Sequence, residues 1–438
     1  MVPIALPGRA ACRELKLFFR IVVAAIASLL LVVLLVPLGR RSALPLPGAV
    51  HGRAPVRARS EAPVLEVGAE KMTVEVPRGS PLAGYAGWRR ADRDGRVYVR
   101  ALVLRSGELR AVIVALDALL ISAELEEEVL RRAQLPPRTC LLLAATHTHS
   151  GPGGTWDNLI AELGGNGRYD RALLSAIAQT TADAIRGALG YLRAGRLAIA
   201  QVEWIDGPSV VRSAGPVDPT LFAAQVRDDS GVVVATLAVY GMHPTILPSD
   251  TSTASGDWPG AAAHAIEQET QAPALVLQGA GANATWNRDR LPPDPALAVD
   301  ELGNRVAHRA LDLLETASWQ EGAPLSCDVT LRALPPAQAS VRVPWPLRRA
   351  ASNILTWWAP LFAVRTSIAI GPARLSGIPG ELVGSLALAA APEHFIGLAD
   401  GYVGYVEDPA RVLRGEGEAA RTYYGPDLGR VLGVGEER

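Results

Sequence analysis

The apolar run Cys140-Leu141-Leu142-Leu143-Ala144 leads without a break into Ala145-Thr146-His147-Thr148-His149-Ser150-Gly151-Pro152-Gly153-Gly154. A short apolar run closed by glycine and proline reads as a buried strand, so it demands a sheet that is covered on its faces. A period of two puts His147 and His149 on one face as the strand ends. The glycines that follow leave no side chains in the way of a ligand and permit positive φ at the turn. Two of only seven histidines fall here. Neutral imidazole is the commonest protein ligand for zinc, and a strand end is rigid enough to aim one. For such a pair taken alone, two turn histidines bonded to backbone is the alternative.

Strand-like and helix-like runs are interspersed along the rest of the chain. Segments 97–105 and 109–118 read as a β-pair around Ser106-Gly107, and 196–202, 232–240 and 274–279 as further strands. Helices are expected over 123–133, whose acidic start and basic end suit the helix dipole, and over 169–189, 259–269, 302–314 and 381–391. This makes the class α/β, or mixed α+β, with several layers. Segment 343–364 departs from the rhythm: Trp345, Trp357 and Trp358 sit in an apolar context beside Arg348 and Arg349. It reads either as a core helix or as an apolar flap for a lipid or membrane surface. There is no internal repeat, GxGxxG or P-loop.

The N-terminus divides by composition. Residues 1–20 are a basic tail, and 21–38 (IVVAAIASLLLVVLLVPL) form an 18-residue charge-free run. At about 1.5 Å per residue such a run nearly spans a hydrocarbon core of roughly 30 Å. Its length favours an uncleaved single-pass transmembrane helix over a signal peptide, with the bulk of the chain facing the periplasm or exterior. Residues 39–62, rich in Pro, Arg and Ala, read as a linker, leaving 63–438 as one large domain. A net charge of −1 gives no electrostatic footprint for nucleic acid. The three cysteines are Cys12, Cys140 and Cys327. Buried free thiols are expected for the last two, with a disulfide between them as the alternative.

Three further clusters could complete a metal site with His147. They are His243 in Gly241-Met242-His243-Pro244-Thr245, Glu381 behind Gly377-Ile378-Pro379-Gly380, and the tyrosines of Gly401-Tyr402-Val403-Gly404-Tyr405-Val406. Two histidines and a carboxylate make a familiar catalytic zinc set, in which a helix opening at Glu381 would hold its anion. Spacing alone does not assemble these clusters, and each taken singly is also ordinary turn chemistry. A serine hydrolase using Ser150 with a histidine is a weaker option.

In series, THTHSGPGG, HPT, IPGE, GYVGY and YYGP resemble the neutral/alkaline ceramidase family, zinc amidases that cleave the N-acyl bond of ceramide. The resemblance runs from about Val67 to Leu432. It implies zinc held by His147, His243, Glu381 and Tyr405, and His149 assisting at the reacting carbonyl or the leaving amine. It also implies a substrate-contacting Arg212, and an acidic position at Asp257 of less certain role. The expected partners are a membrane and a lipid or other N-acyl substrate. The departures are as informative. The family's active-site loop reads Gly281-Ala282-Asn283-Ala284-Thr285, with Ala282 where the acid stands and Ala284 where the serine stands. A second family tyrosine falls on Gly417, and the stretch beyond Tyr405 is too short for the family's C-terminal immunoglobulin-like domain. The two readings left are a membrane-anchored zinc amidohydrolase and an impaired relative that binds a lipid or a partner.

Overall fold

The alternation in 97–118 does what it requires. Strands Gly95–Ser106 and Leu109–Leu116 pair antiparallel across a tight turn, and Thr139–Ala145 then returns parallel to Leu109–Leu116. The return passes through helix Ala123–Ala133, where the Ser122 side chain caps the start and Arg131 and Arg132 close the end. The structure, a computed structural model, describes residues 9–35, 50, 52–85 and 88–434.

These strands belong to a nine-stranded mixed sheet. Its order runs Ala274–Gln278, Val233–Tyr240, Thr220–Asp228, Arg193–Glu203, Leu65–Val76, Gly95–Ser106, Leu109–Leu116 and Thr139–Ala145, with Trp319–Glu321 alongside Arg193–Glu203. Period two sorts its side chains. Leu102, Leu104, Ile113 and Leu142 pack on one face against Leu325, Val329, Ile368 and Leu375 of a five-stranded sheet. Val99, Val103, Val114 and Leu143 face the other way, towards Ile177 and Ile185 of helix Arg171–Gly190. Helices Asp257–Thr270 and Pro295–Glu315 cover the remainder. The expected α/β layering is therefore helices, sheet, sheet, and each large aliphatic buried between layers contributes about 1.5–3 kcal/mol.

Both edges of the large sheet are closed by the segment 397–400. Gly397 N donates to Gln278 O on one edge, while Ala145 N donates to Leu398 O and Asp400 N to Leu143 O on the other. The edges are thus drawn together at the end where Thr139–Ala145 and Val233–Tyr240 run out into His147 and His243.

Several expectations are corrected. The linker assigned to 39–62 is partly structure: Val56–Ser60 pairs antiparallel with Leu325–Ala333. Arg53 is buried, bonded to Glu126 (2.8 Å), Asp400 (2.7 Å), Thr366 (2.7 Å) and the Leu141 carbonyl. Its arginines and prolines masked an edge strand, because the pairing partner lies more than 260 residues away in sequence. Burial pushes the Glu126 carboxyl up to about 7, against the pull of the Arg53 cation. No helix opens at Glu381. Glu381–Leu382 forms a two-residue parallel bridge with Tyr405–Val406, and the helix begins only at Gly384. Segment 343–364 is helix Trp345–Trp358 followed by strand Phe362–Ile370. The helix expected over 302–314 starts at Pro295, with Asp294 as its cap.

Residues Arg9–Leu35 form one helix that takes in the basic residues before the apolar run, with Leu17, Phe18, Phe19, Leu29 and Leu30 exposed. Residues 36–49 of the expected span and linker, other than this helix, lie outside the described residues. Among the described residues no helix is long and apolar enough to cross a membrane, so the span expected over 21–38 is not borne out.

Cys140 and Cys327 are joined by a disulfide rather than left as free thiols. Cys140 points from the large sheet into the inter-sheet core and Cys327 reaches it from the smaller one, with Cα atoms 6.4 Å apart. Thiol titration of the denatured, unreduced chain is expected to find one sulfhydryl, Cys12, against three after reduction. Three before reduction would refute the crosslink. Reduction is expected to destabilise the fold by about 2–5 kcal/mol in denaturant titrations.

Candidate metal centre

His147 sits two residues past the strand Thr139–Ala145 and in the left-handed region, at φ 68°. That conformation is costly for a residue with a Cβ and persists only where its surroundings fix it. The fixing contact is a hydrogen bond of 2.9 Å between His147 Nδ1 and the Leu119 carbonyl. His243 follows Val233–Tyr240 and makes the same bond, Nδ1 to Gly281 O at 2.9 Å. A carbonyl only accepts, so each Nδ1 carries the proton and each Nε2 is left with a lone pair.

Those two lone pairs meet. His147 Nε2 and His243 Nε2 are 3.3 Å apart, and Glu381 Oε2 lies 3.2 Å from each. Tyr405 Oη is 3.3 Å from His243 Nε2. The bridge that pairs Glu381 with Tyr405 is what brings these last two together. All four residues are buried. Burial alone would raise the Glu381 carboxyl, but positive charge taken up on the His147 and His243 side of it outweighs burial and holds it well below the usual carboxylate range. Burial, and then the Glu381 charge, pushes the Tyr405 hydroxyl well up.

Three electron-rich atoms converging in a dry site repel one another unless a cation or proton lies between them. Glu381 Oε2 has no hydrogen-bond donor of its own. The donor set of two imidazole nitrogens, a carboxylate oxygen and a phenol oxygen therefore fits a divalent metal ion. His147, His149 and His243 also form a cluster in which one ring nitrogen from each lies within 4.8 Å of the other two. His149 differs from the other two in that neither ring nitrogen has a hydrogen-bond partner among the described residues. Burial, then the neighbouring His147 and His243, drives its pKa well below 6.5, so it is held neutral. Its ring packs edge-on against Tyr85 and His147. Gly84 lies under it, so close that a Cβ there would meet His149 Cα at 2.3 Å.

Arg212 reaches the same centre. Its guanidinium donates to Ala282 O (2.6 Å) and Tyr405 Oη (3.3 Å) and pairs with Glu418 (2.8 Å). Asp257 stands apart. Its carboxylate accepts from Ile246 N, Leu247 N and Trp258 N, and so ties down the loop that follows His243. The departures from the family pattern are packed in place. Ala282 is buried against Val383 and Tyr405, and Ala284 O accepts from His243 N. Gly417 has φ 54°, and a Cβ there would strike Glu407 Oε2 at 2.3 Å. Ser150 has no histidine partner for its hydroxyl.

The sequence reading did not assign Tyr402, Asn283, Glu418 or Arg421. Tyr402 Oη donates to Glu381 Oε1 at 2.8 Å and so orients the carboxylate from behind. Asn283 is fully buried and bonds to the carbonyls of Ala214 and Pro216 and to Gly384 N, pinning the loop behind Arg212. Glu418 links Arg212 to Arg421. Tyr402 had a signal in the GYVGY string; the other three are recognisable only from their contacts. Beside the centre lies a cavity of about 150 Å³, lined mainly by apolar groups including Leu119, Trp156, Ile160, Leu355, Tyr402 and Tyr423.

Residues 66–281 match the model of the neutral/alkaline non-lysosomal ceramidases, N-terminal region, so this part of the chain is of that family's kind. It is 28% identical over 208 residues to the neutral ceramidase of Mycobacterium tuberculosis, a match covering 42% of this chain and 32% of the relative. The chain thus spans about a third of the length of that relative. The crystal structure of the Pseudomonas aeruginosa neutral ceramidase superposes with a TM-score of 0.70 at 21% identity, covering 83% of this chain and 72% of that one. A ceramidase complexed with C2 gives 0.68 at 20% identity, covering 83% and 73%.

Two outcomes are expected. Tyr402→Phe removes the bond that orients Glu381 and should weaken zinc affinity by about 10–100-fold in chelator competition, with the fold intact. Metal release on acidification should have its midpoint below pH about 6.5. The sign follows from burial, which lowers the His243 pKa, so protons compete with metal only at pH values below the ordinary histidine range. Release above pH 7, followed by zinc-indicator fluorescence, would contradict that.

Proposed function

We propose that this chain is a zinc-dependent amidohydrolase that cleaves the N-acyl amide bond of ceramide or a related N-acyl lipid. The observation that carries the reading is the convergence of His147 Nε2, His243 Nε2 and Glu381 Oε2 within 3.3 Å, with both Nδ1 protons committed elsewhere. The centre lies in a family of ceramidases and beside an apolar cavity, which favours a substrate with a hydrocarbon chain. In this reading the metal ligands are His147, His243, Glu381 and Tyr405. Membrane attachment through the helix Arg9–Leu35, with the catalytic part facing the periplasm or exterior, belongs to the same proposal.

Bound zinc would polarise the amide carbonyl and make water acidic enough to supply hydroxide near neutral pH. The protein's own groups do the rest. His149, neutral and with both ring nitrogens unengaged, takes a proton from the attacking water and returns it to the departing amine. Arg212, fixed by Glu418 and Ala282 O, presents a permanent positive charge where the carbonyl oxygen becomes negative. Tyr402 keeps Glu381 in its orientation throughout. The C–N bond breaks as the acyl carbon gains the hydroxyl oxygen, and the products are a fatty acid and a free amine.

The test is a mass-spectrometric screen of N-acyl lipids with the purified, zinc-loaded chain. Fatty acid and amine should appear in equal amounts, and a chelator should stop their release. No release at full zinc occupancy would overturn the reading and leave a lipid-binding relative, the alternative that Ala282, Ala284 and Gly417 favour. His149→Ala should keep its zinc and its melting temperature while losing about 10²–10⁴-fold in turnover. Normal turnover per bound zinc would end the role given to His149.

A further inference from the structure

Helix Trp345–Trp358 is inside out. Its buried positions include Asn353 and Thr356, which are 4% and 5% exposed. Arg348 and Ser352 lie on that same side and bond to the 339–343 segment: Arg348 donates to Val341 O and Val343 O, and Ala339 N donates to Ser352 Oγ. The outward stripe is apolar. Leu347, Ile354 and Trp357, spaced seven and three apart, are 59%, 44% and 55% exposed, and Trp345 is 78% exposed at the start of the helix. Burying polar side chains while presenting Trp, Leu and Ile to solvent reverses the usual partition, and it marks a surface with an apolar partner.

Several observations identify that partner as a lipid bilayer. The helix carries no acidic residue, while Arg349 is exposed on it beside Trp345. Tryptophan and arginine at the rim of an apolar stripe suit an anionic membrane interface. The neighbouring helix Arg9–Leu35 packs alongside and continues the patch with exposed Leu17, Phe18, Phe19 and Ile21, bordered by exposed Lys16 and Arg20. Most informative is where the stripe leads. Leu355, and Ala359 just past the helix end, line the same cavity as Leu119, whose carbonyl holds His147, and Tyr402, which holds Glu381.

We propose that helix Trp345–Trp358 docks in the interface of an anionic bilayer, with Leu347, Ile354 and Trp357 among the acyl chains and Arg349 at the headgroups, so that the cavity beside the metal centre opens towards the leaflet. A lipid then enters sideways without leaving the apolar phase. Docking stands on the helix geometry alone; only lipid entry rests on the proposed amidase function.

The test uses the full chain on vesicles of phosphatidylcholine and phosphatidylglycerol (3:1), with and without brominated acyl chains. Bromine should quench part of the tryptophan emission of the wild type, and Trp345→Phe/Trp357→Phe should lose most of that quenching while remaining vesicle-bound through helix Arg9–Leu35. Equal quenching in both proteins overturns the proposal. So does a wild type left unquenched because the stripe is occluded in a cross-linkable pair of copies. A second variant, Leu347→Ser/Ile354→Ser/Trp357→Ser, should lose at least about tenfold in hydrolysis of vesicle-embedded ceramide and keep its rate on a water-soluble short-chain N-acyl substrate. Equal loss on both substrates counts against docking. Absence of any hydrolysis by the wild type counts only against the amidase reading, because quenching decides docking independently.

Discussion

The site depends on two hydrogen bonds that are not themselves chemical. Leu119 O and Gly281 O each take an imidazole Nδ1 proton, and this fixes both tautomers and both ring planes. Once the rings are set, their lone pairs have nowhere to point but at each other and at Glu381. The resulting cluster of electron-rich atoms is unfavourable in a dry interior until a cation joins it. Evolution can keep such a cluster only where the surrounding chain enforces it. Here that enforcement includes the left-handed backbone at His147 and the bridge between Glu381 and Tyr405.

The two halves of the centre come from different layers. His147 and His243 leave the ends of strands in the large sheet, whereas Glu381 follows Ala373–Gly377 of the smaller one. Segment 397–400 joins them: it closes both edges of the large sheet and runs on into Tyr402 and Tyr405. Arg53 locks the same junction from below through Glu126, Asp400 and the Leu141 carbonyl. Removing one member of such a buried ion cluster leaves the others uncompensated, which makes the N-terminal approach part of the scaffold around the site rather than a tether.

Local pattern carried the elements whose character is local. The strand 139–145, the hairpin at 107 and the helix Ala123–Ala133 are visible in alternation, turn residues and charge placement. His147 and His243 stood out because histidine is rare in this chain and each follows an apolar run. What the sequence could not show depends on distant partners. Val56–Ser60 becomes a strand only because Leu325–Ala333 offers an edge, and Glu381 leaves its expected helix because Tyr405 pairs with it. The same holds for the disulfide, since nothing local to Cys140 says that Cys327 lies across the core. Tyr402 was in plain view, but its task became visible only with Glu381 beside it.

The disulfide has a consequence for how the metal centre can assemble. Without it, joining His147 to Glu381 closes a loop of 234 residues. With Cys140 and Cys327 already linked, the path between the two ligands shortens to about 60 residues, because the long intervening segment is bypassed. Loop-closure entropy grows with the logarithm of length, so this shortcut is worth about 1 kcal/mol to ligation. Crosslink and metal are therefore two stitches through the same seam, each lowering the entropic cost of the other. An oxidising compartment would then act on this centre at a distance, by preparing the chain to close around its ion.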